Sequence, residues 1–410
     1  MSTYIDRMAD KTLRDLLLDH PAVMVVGPRA CGKTTTALRI AASVANLSTE
    51  IEAAIFRADP DAALTDRSEP ILLDEWQAVP QVLGAVKRAV DGDPRRGRFL
   101  ITGSARADLD SETWPGTGRL VRLAMFGLSE REINSSGTSP LFLQRLIDGE
   151  TFQSVPGAPG LRDYVELALR GGFPEPALQL GRRARERWYD GYADQIITRD
   201  AAQIEPRRSP TRLRAYLQAY ALNSAGIVDE TTLINAAQTS RRPADAYRSL
   251  LEALCIIDEL PAWTTNRLRR MTLAPKRFVV DSGLFGSLVN VDAAAVMRDG
   301  NILGRLIETF VVAQLRAEID HLDVRARLFH LRQHDGRREI DLIVELGGGR
   351  VIGIEIKSTS APTTHDARHL RWLKHEMGEG MVTGIVLHTG PRVIALGEGI
   401  TALPISCLWM

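Results

Sequence analysis

Apolar residues gather along this chain in short runs, separated by stretches where they recur every three or four positions. The first run, Ala22-Val23-Met24-Val25-Val26, has the length and β-branched content of a buried strand, and residues 35–42 behind it have helical composition. Similar runs at 53–57, 70–73, 98–102 and 119–123 predict four more strands, while Val82, Leu83, Val86, Ala89 and Val90 predict an amphipathic helix over 81–90. Five strands alternating with helices predict a doubly wound parallel sheet, an α/β fold that binds ligands at the C-terminal ends of its strands.

The pattern changes further on. Turn-rich stretches at 134–140 and 155–160 bracket a short apolar helix at 141–147. Three helices at 213–222, 230–237 and 243–254, followed by extended pieces at 256–260 and 277–280, are the parts of a winged helix. Residues 302–319 form a helix with Leu303, Leu306, Ile307, Phe310, Val311 and Leu315 on its apolar side. Residues 338–346, Gly347-Gly348-Gly349 and 350–357 then read as strand, turn and strand. The expected organisation is a doubly wound α/β module at 1–135, a helical connector or lid at 136–210, a winged-helix-like region at 211–290 and a second α/β domain at 291–410. A chain of 410 residues is too long for one core, which agrees with several domains.

Composition narrows the classes. Apolar residues are 44% and charged residues 25%, average for a globular protein, and no apolar run approaches the roughly 18–20 residues of a membrane span. The three cysteines, Cys31, Cys255 and Cys407, are far apart, which excludes a disulfide framework or a cysteine zinc site. With no signal-peptide core at the N-terminus, a cytoplasmic location without membrane contact is expected. Basic and acidic residues number 51 each, so a polyanion would be met only by local segregation of charge. Residues 181–280 show such a bias, with 17 basic against 11 acidic side chains.

The strongest chemistry lies between the first strand and its helix. Gly27-Pro28-Arg29-Ala30-Cys31-Gly32-Lys33-Thr34 satisfies G-x-x-x-x-G-K-[ST] at each fixed position, in the strand–turn–helix context that the pattern needs. Backbone N–H groups of this loop, extending to Thr35 at the helix start, would cradle the phosphates of ATP. Lys33 would reach the β- and γ-phosphates, and the Thr34 hydroxyl would ligate Mg²⁺. The strand at 70–73 delivers Asp74-Glu75, with Asp74 expected to hold Mg²⁺ through water and Glu75 to act as general base on the attacking water. Arg119 is either an arginine finger, in its own subunit or across an interface, or an exposed strand-end arginine.

Gly27-Pro28-Arg29, Leu73-Asp74-Glu75, Thr102-Gly103-Ser104 and Gly118-Arg119, followed by Leu128-Ser129-Glu130-Arg131-Glu132, together resemble the prokaryotic AAA-type ATPases that carry a C-terminal domain of unknown function. Similar segments to Gly171-Gly172-Phe173-Pro174 recur in that family. The resemblance implies an ASCE-type P-loop ATPase with a γ-phosphate sensor at the end of the strand 98–102, either Thr102 or Ser104.

At the C-terminal hairpin, Glu355 and Lys357 are two apart and share a strand face, with Asp341 on the partner strand. This D-x13-E-x-K arrangement, behind a helix carrying Glu308, resembles the PD-(D/E)XK nuclease superfamily, although isoleucine rather than proline precedes Asp341. The resemblance implies a nuclease-like domain in which Glu308, Asp341 and Glu355 bind Mg²⁺ and Lys357 stabilises the pentacoordinate phosphate. Arg332, Arg337, Arg338 and His365 would touch DNA phosphates there. In a winged helix that contacts DNA, Arg241, Arg242 and Arg248 would face a major groove, with Arg267, Arg269 and Arg270 on the wing; the alternative is a protein-docking or spacer unit. Two readings follow: an ATPase that acts on DNA with a Mg²⁺-dependent nuclease domain, or a regulatory or scaffolding ATPase that binds protein partners through a silent nuclease fold. A homo-oligomer is compatible with both.

Overall fold

The apolar run at 22–26 becomes β1 (Ala22–Val26) of a computed structural model that describes residues 4–103, 118–134, 140–154, 156–200, 209–333 and 336–410. All five of its residues are buried, as the absence of polar alternation requires of a strand covered on both faces. It pairs in parallel with β4 (Phe99–Gly103) on one side and β5 (Val121–Ala124) on the other. With β2 (Ser43–Asn46) and β3 (Ile71–Asp74) the order is β2-β3-β4-β1-β5, every pairing parallel. Phe56, Leu73, Val82, Val86, Phe99 and Ile101 are among the buried side chains of its core. Each contributes about 1.5–3 kcal/mol on burial.

One expected strand is a helix. Residues 53–57 lie inside α3 (Glu50–Ala58), the third helix after α1 (Met8–Asp19) and α2 (Lys33–Leu38). Ala53 and Phe56, three apart, are its buried face, whereas Ile55 is 47% exposed. Glu50 and Glu52 in the first turn and Arg57 in the last complement the helix dipole. The strand that takes this place in the sheet is β2, an edge strand in which only Ala45 is buried, too weakly apolar to stand out. It begins where the helix after the loop, expected through residue 42, has already ended at Leu38. Beyond α4 (Pro60–Leu64), α5 (Val82–Gly92) realises the helix expected at 81–90.

These strands and helices belong to one compact unit, residues 4–127 with Leu251–Ile256; the second comprises Leu128–Leu250 and Ile257–Met410. Helices Pro210–Leu222, Glu230–Ala236 and Arg241–Ala253 precede an antiparallel pair, β6 (Ile257–Leu260) and β7 (Lys276–Val279), the order of elements expected over 211–290. Helix Gly300–Ile319 leads into a mixed sheet, β8 (Ala326–Gln333), β9 (Arg338–Leu346), β10 (Val351–Lys357), β11 (Met381–His388), β12 (Ile394–Gly397) and β13 (Ile400–Pro404). Its order is β12-β13-β11-β10-β9-β8. The expected hairpin is β9 and β10, with Val351 opposite Glu345, and helix Arg368–Met377 carries the chain to the parallel neighbour β11. Among the described residues no helix is long and apolar enough to cross a membrane.

Candidate functional site

The loop after β1 is shaped by its two glycines. A Cβ on Gly27 would stand 1.9 Å from the Met125 carbonyl oxygen, and Gly32 has a φ of 102°, a left-handed conformation disfavoured for residues with a Cβ. Cys31 is fully buried, with its Sγ 3.4 Å from the Met125 carbonyl oxygen, so it is a small filler of the loop. Lys33, 6% exposed, folds back over the loop and donates to the carbonyls of Gly27 at 3.0 Å and Pro28 at 2.8 Å. Ala30 also takes a left-handed φ of 62°, and Thr35 lies in the first turn of α2.

Asp74, the last residue of β3, stands at the end of the neighbouring strands where parallel register predicts it. Its Oδ1 accepts from the Thr34 hydroxyl at 2.7 Å and from the Thr102 hydroxyl at 2.5 Å. Three motifs distant in sequence thus meet at one carboxylate oxygen. Glu75 follows with φ 57° and ψ 48°, a left-handed backbone that costs about 1–3 kcal/mol and occurs preferentially at functional sites. Its carboxylate accepts from the Gln77 side-chain amide. Ser104 lies outside the described residues, so Thr102 is the candidate sensor with a position in the structure.

Arg119 is not brought to the loop. Val23 pairs with Val121 and Val26 with Ala124, so the loop leaves one end of the sheet while Arg119, two residues before β5, lies at the other. There its Nε donates to Asp91 Oδ1 at 2.7 Å, on the last turn of α5. Strand direction therefore corrects the finger within a single subunit, and leaves the exposed strand-end arginine or a finger across an interface. Arg7 was not foreseen. It is 8% exposed and donates to the Cys31 carbonyl at 2.9 Å and the Phe126 carbonyl at 2.8 Å, tying the loop to the chain beyond β5. No motif marks such a role, because the partners are backbone atoms.

The C-terminal constellation does converge, but around a lysine. Lys276, 2% exposed at the start of β7, forms an ion pair with Glu308 and approaches Asp341 Oδ1 to 3.2 Å. The other Asp341 oxygen accepts from the Ile356 N–H at 2.8 Å, and Lys357 Nζ donates to Glu355 Oε2 at 2.8 Å. A cleft of about 260 Å³ opens beside Asp341, Glu355, Lys357, Asp366 and His369. Among the described residues no group of three or more His, Cys, Asp or Glu side chains is spaced to hold a metal ion. Of the expected centre of Glu308, Asp341 and Glu355, two carboxylates are held by the Lys276 ammonium.

Two ammoniums face three carboxyl groups here, one more acid than the lysines can balance. Burial raises Glu308 to about 8, and burial together with the Asp341 charge raises Glu355 to about 8. Burial also acts on Asp341, but Lys276 and Lys357 outweigh it and hold that carboxyl below its usual range. Of the expected phosphate contacts, Arg338 stacks over Trp372 at 4.3 Å and Arg368 reaches the His365 ring at 2.6 Å.

A five-stranded parallel sheet with this loop and acidic strand end defines a P-loop ATPase domain of the AAA type, and a family model described as "AAA domain" matches residues 19–134. Two further models, both described as domains of unknown function, match residues 161–295 (DUF8612) and 303–408 (DUF4143). An uncharacterized protein of Mycobacterium tuberculosis and one of Mycobacterium bovis are each 30% identical over 405 residues, covering 97% of this chain and 83% of theirs. The chain belongs to the family of these mycobacterial proteins. Among solved structures, a Walker-type ATPase of Pyrococcus abyssi aligns with a TM-score of 0.42 and 16% identity, over 70% of this chain and 96% of that one.

Proposed function

We propose that this chain hydrolyses ATP with Mg²⁺ at the Gly27–Thr34 loop, and that its C-terminal α/β domain is a binding unit rather than a nuclease. The observation that carries the first part is the shared Asp74 oxygen, accepting from Thr34 and Thr102 beside a lysine that holds only neutral carbonyls. One hydroxyl and one carboxylate suit Mg²⁺, which takes few protein ligands and completes its shell with water and substrate phosphate. Thr34 and Asp74 would hold it, and bound there it would offset charge on the β- and γ-phosphate oxygens. Lys33 exchanges the Gly27 and Pro28 carbonyls for phosphate oxygens. Glu75 takes a proton from water as the water oxygen bonds to the γ-phosphorus and the bond to the ADP oxygen breaks. Thr102, hydrogen-bonded to Asp74, is positioned to register loss of the γ-phosphate.

The second part rests on Lys276, whose ion pairs with Glu308 and Asp341 supply from within the charge that a divalent cation would bring. This favours the regulatory reading over DNA cleavage. Turnover of ATP should depend on Mg²⁺ and disappear in Lys33→Ala, while plasmid and oligonucleotide DNA stay intact with Mg²⁺, Mn²⁺ and ATP. Cleavage abolished by Asp341→Asn would overturn the second part alone, and ATP turnover surviving in Lys33→Ala would overturn the first.

A further inference from the structure

The arginines of helix Arg241–Ala253 are a weak electrostatic footprint, because Asp245 lies within salt-bridge range of Arg241 and Arg248, and Glu259 also answers Arg248. The wing is different. Between β6 and β7 it carries the short helix Arg267–Arg270, beside a groove of about 470 Å³ bounded by Arg267, Arg270, Arg325, Arg327, Phe329 and the turn Gly347–Gly349. Its floor is fixed. Arg270 grips both oxygens of Glu345 at 2.9 and 2.6 Å and stacks over Phe329 and Trp263 at 5.0 and 5.4 Å, while the Trp263 Nε1–H donates to the same carboxylate at 3.1 Å.

Glu345 stands opposite Arg327 in the β8–β9 register, so the carboxylate that would neutralise Arg327 is engaged elsewhere. Arg267, Arg325 and Arg327 are exposed and make no salt bridge among the described residues. Three guanidiniums therefore share one concave surface on a chain whose net charge is zero.

We propose that this groove binds the phosphate backbone of duplex nucleic acid. The proposal rests on the reading of the C-terminal domain as a binding unit, and names its partner. Guanidinium forks match phosphate oxygens, and here four of them surround one carboxylate: Arg267 shares Glu345 with Arg270, and Arg325 and Arg327 have no acidic partner among the described residues, so the surplus favours a polyanion. Trp263 and Phe329 are only 4% and 7% exposed, so the groove has no open ring on which unpaired bases could stack, which favours a duplex over a single strand. Contact through phosphates alone makes binding independent of sequence and dependent on salt. Leu268 and Met271, 78% and 84% exposed on the wing, would suit a lipid surface, but the unanswered charges line a concavity, which receives a rod better than a plane.

The test is fluorescence anisotropy of a labelled DNA duplex of roughly 30 base pairs with the full chain, without nucleotide, across about 50–200 mM salt. Replacing Arg267, Arg325 and Arg327 together by Gln should flatten the salt dependence by about 2.7 in slope, equivalent to a roughly 40-fold smaller loss of affinity over that range. A charge-matched control, Arg57→Gln with Arg95→Gln and Arg96→Gln on the ATPase unit, should keep the wild-type slope, and circular dichroism should show both proteins folded. Equal losses in both triple variants, preference for single strands, or binding to phosphatidylserine vesicles without binding to the duplex would overturn the proposal. ATP turnover and DNA integrity are read in the same samples. Intact turnover without duplex binding sinks the groove alone, whereas Mg²⁺-dependent cutting sinks the binding-unit reading and leaves the groove's salt slope standing.

Discussion

Both candidate sites are built around a buried lysine beside a carboxylate, and they differ in what the lysine holds. Lys33 faces two neutral carbonyls of its own loop, while the nearby Asp74 is satisfied by two hydroxyls. Lys276 is ion-paired to two largely enclosed carboxylates, each 14% exposed. Exchanging a neutral carbonyl for a phosphate oxygen strengthens the lysine's bonds, since a hydrogen bond between charged partners is roughly twice as strong as one to a neutral acceptor. Taking Lys276 from its carboxylates would leave buried charge unpaired. The first arrangement is open to an anionic ligand and its metal; the second is closed on itself.

The sharpest way to break this contrast is at Glu75. Glu75→Gln keeps the size and the hydrogen-bonding capacity but removes the base, so kcat for ATP should fall by about 10²–10⁴-fold with ATP affinity retained. A proportional loss of binding would assign Glu75 to the phosphate cradle instead. Lys276→Ala comes next. It should destabilise the chain to urea by about 3–5 kcal/mol, because removing one partner strands buried carboxylates. Without nucleotide, the same variant should show a larger stabilising response to Mn²⁺ than the wild type. Thr102→Val should be milder: loss of one hydrogen bond to a charged group is worth about 1.5–3 kcal/mol, read as a drop in kcat/KM with the Lys33-dependent binding preserved.

The smallest effect expected is on pH. Burial holds Glu308 and Glu355 at about 8 and Glu318 at about 7, so the folded chain keeps protons that the unfolded chain releases above its ordinary value of 4.5. Stability from these groups is therefore greatest in acid and is lost as pH rises through 7 and 8. His330, held down to about 4 by burial and by Lys276, acts oppositely, but only below its ordinary 6.5. Between about pH 6.5 and 8.5 the urea midpoint should fall, and it should fall less in Glu308→Gln. An unchanged slope in that variant would remove Glu308 from the account.

The phosphate loop was legible because its chemistry demands particular residues at fixed spacing, and β1, β3 and β4 because central strands are uniformly apolar. The edge strand β2 and helix α3 were misread for the same reason: Val44 is 41% exposed at the edge, while the apolar run 53–56 looks like a strand until the burial of Ala53 and Phe56 reveals a helical period. In the C-terminal site, spacing brought Asp341, Glu355 and Lys357 together correctly. It gave no sign of Lys276, which arrives from a different supersecondary element, 32 positions before Glu308. Arg119 shows the converse limit. Its neighbours fit the pattern of a finger, but only the parallel pairing of β1 with β5 tells which end of the sheet it occupies.

The central claim is that divalent-cation chemistry resides at Asp74 and not at Asp341. Electron paramagnetic resonance titration of Mn²⁺ into the full chain, with a non-hydrolysable ATP analogue present, tests it most directly. The account predicts a single tight Mn²⁺ per chain, lost in Asp74→Asn and unchanged in Asp341→Asn. A second tight Mn²⁺ that disappears in Asp341→Asn would contradict it.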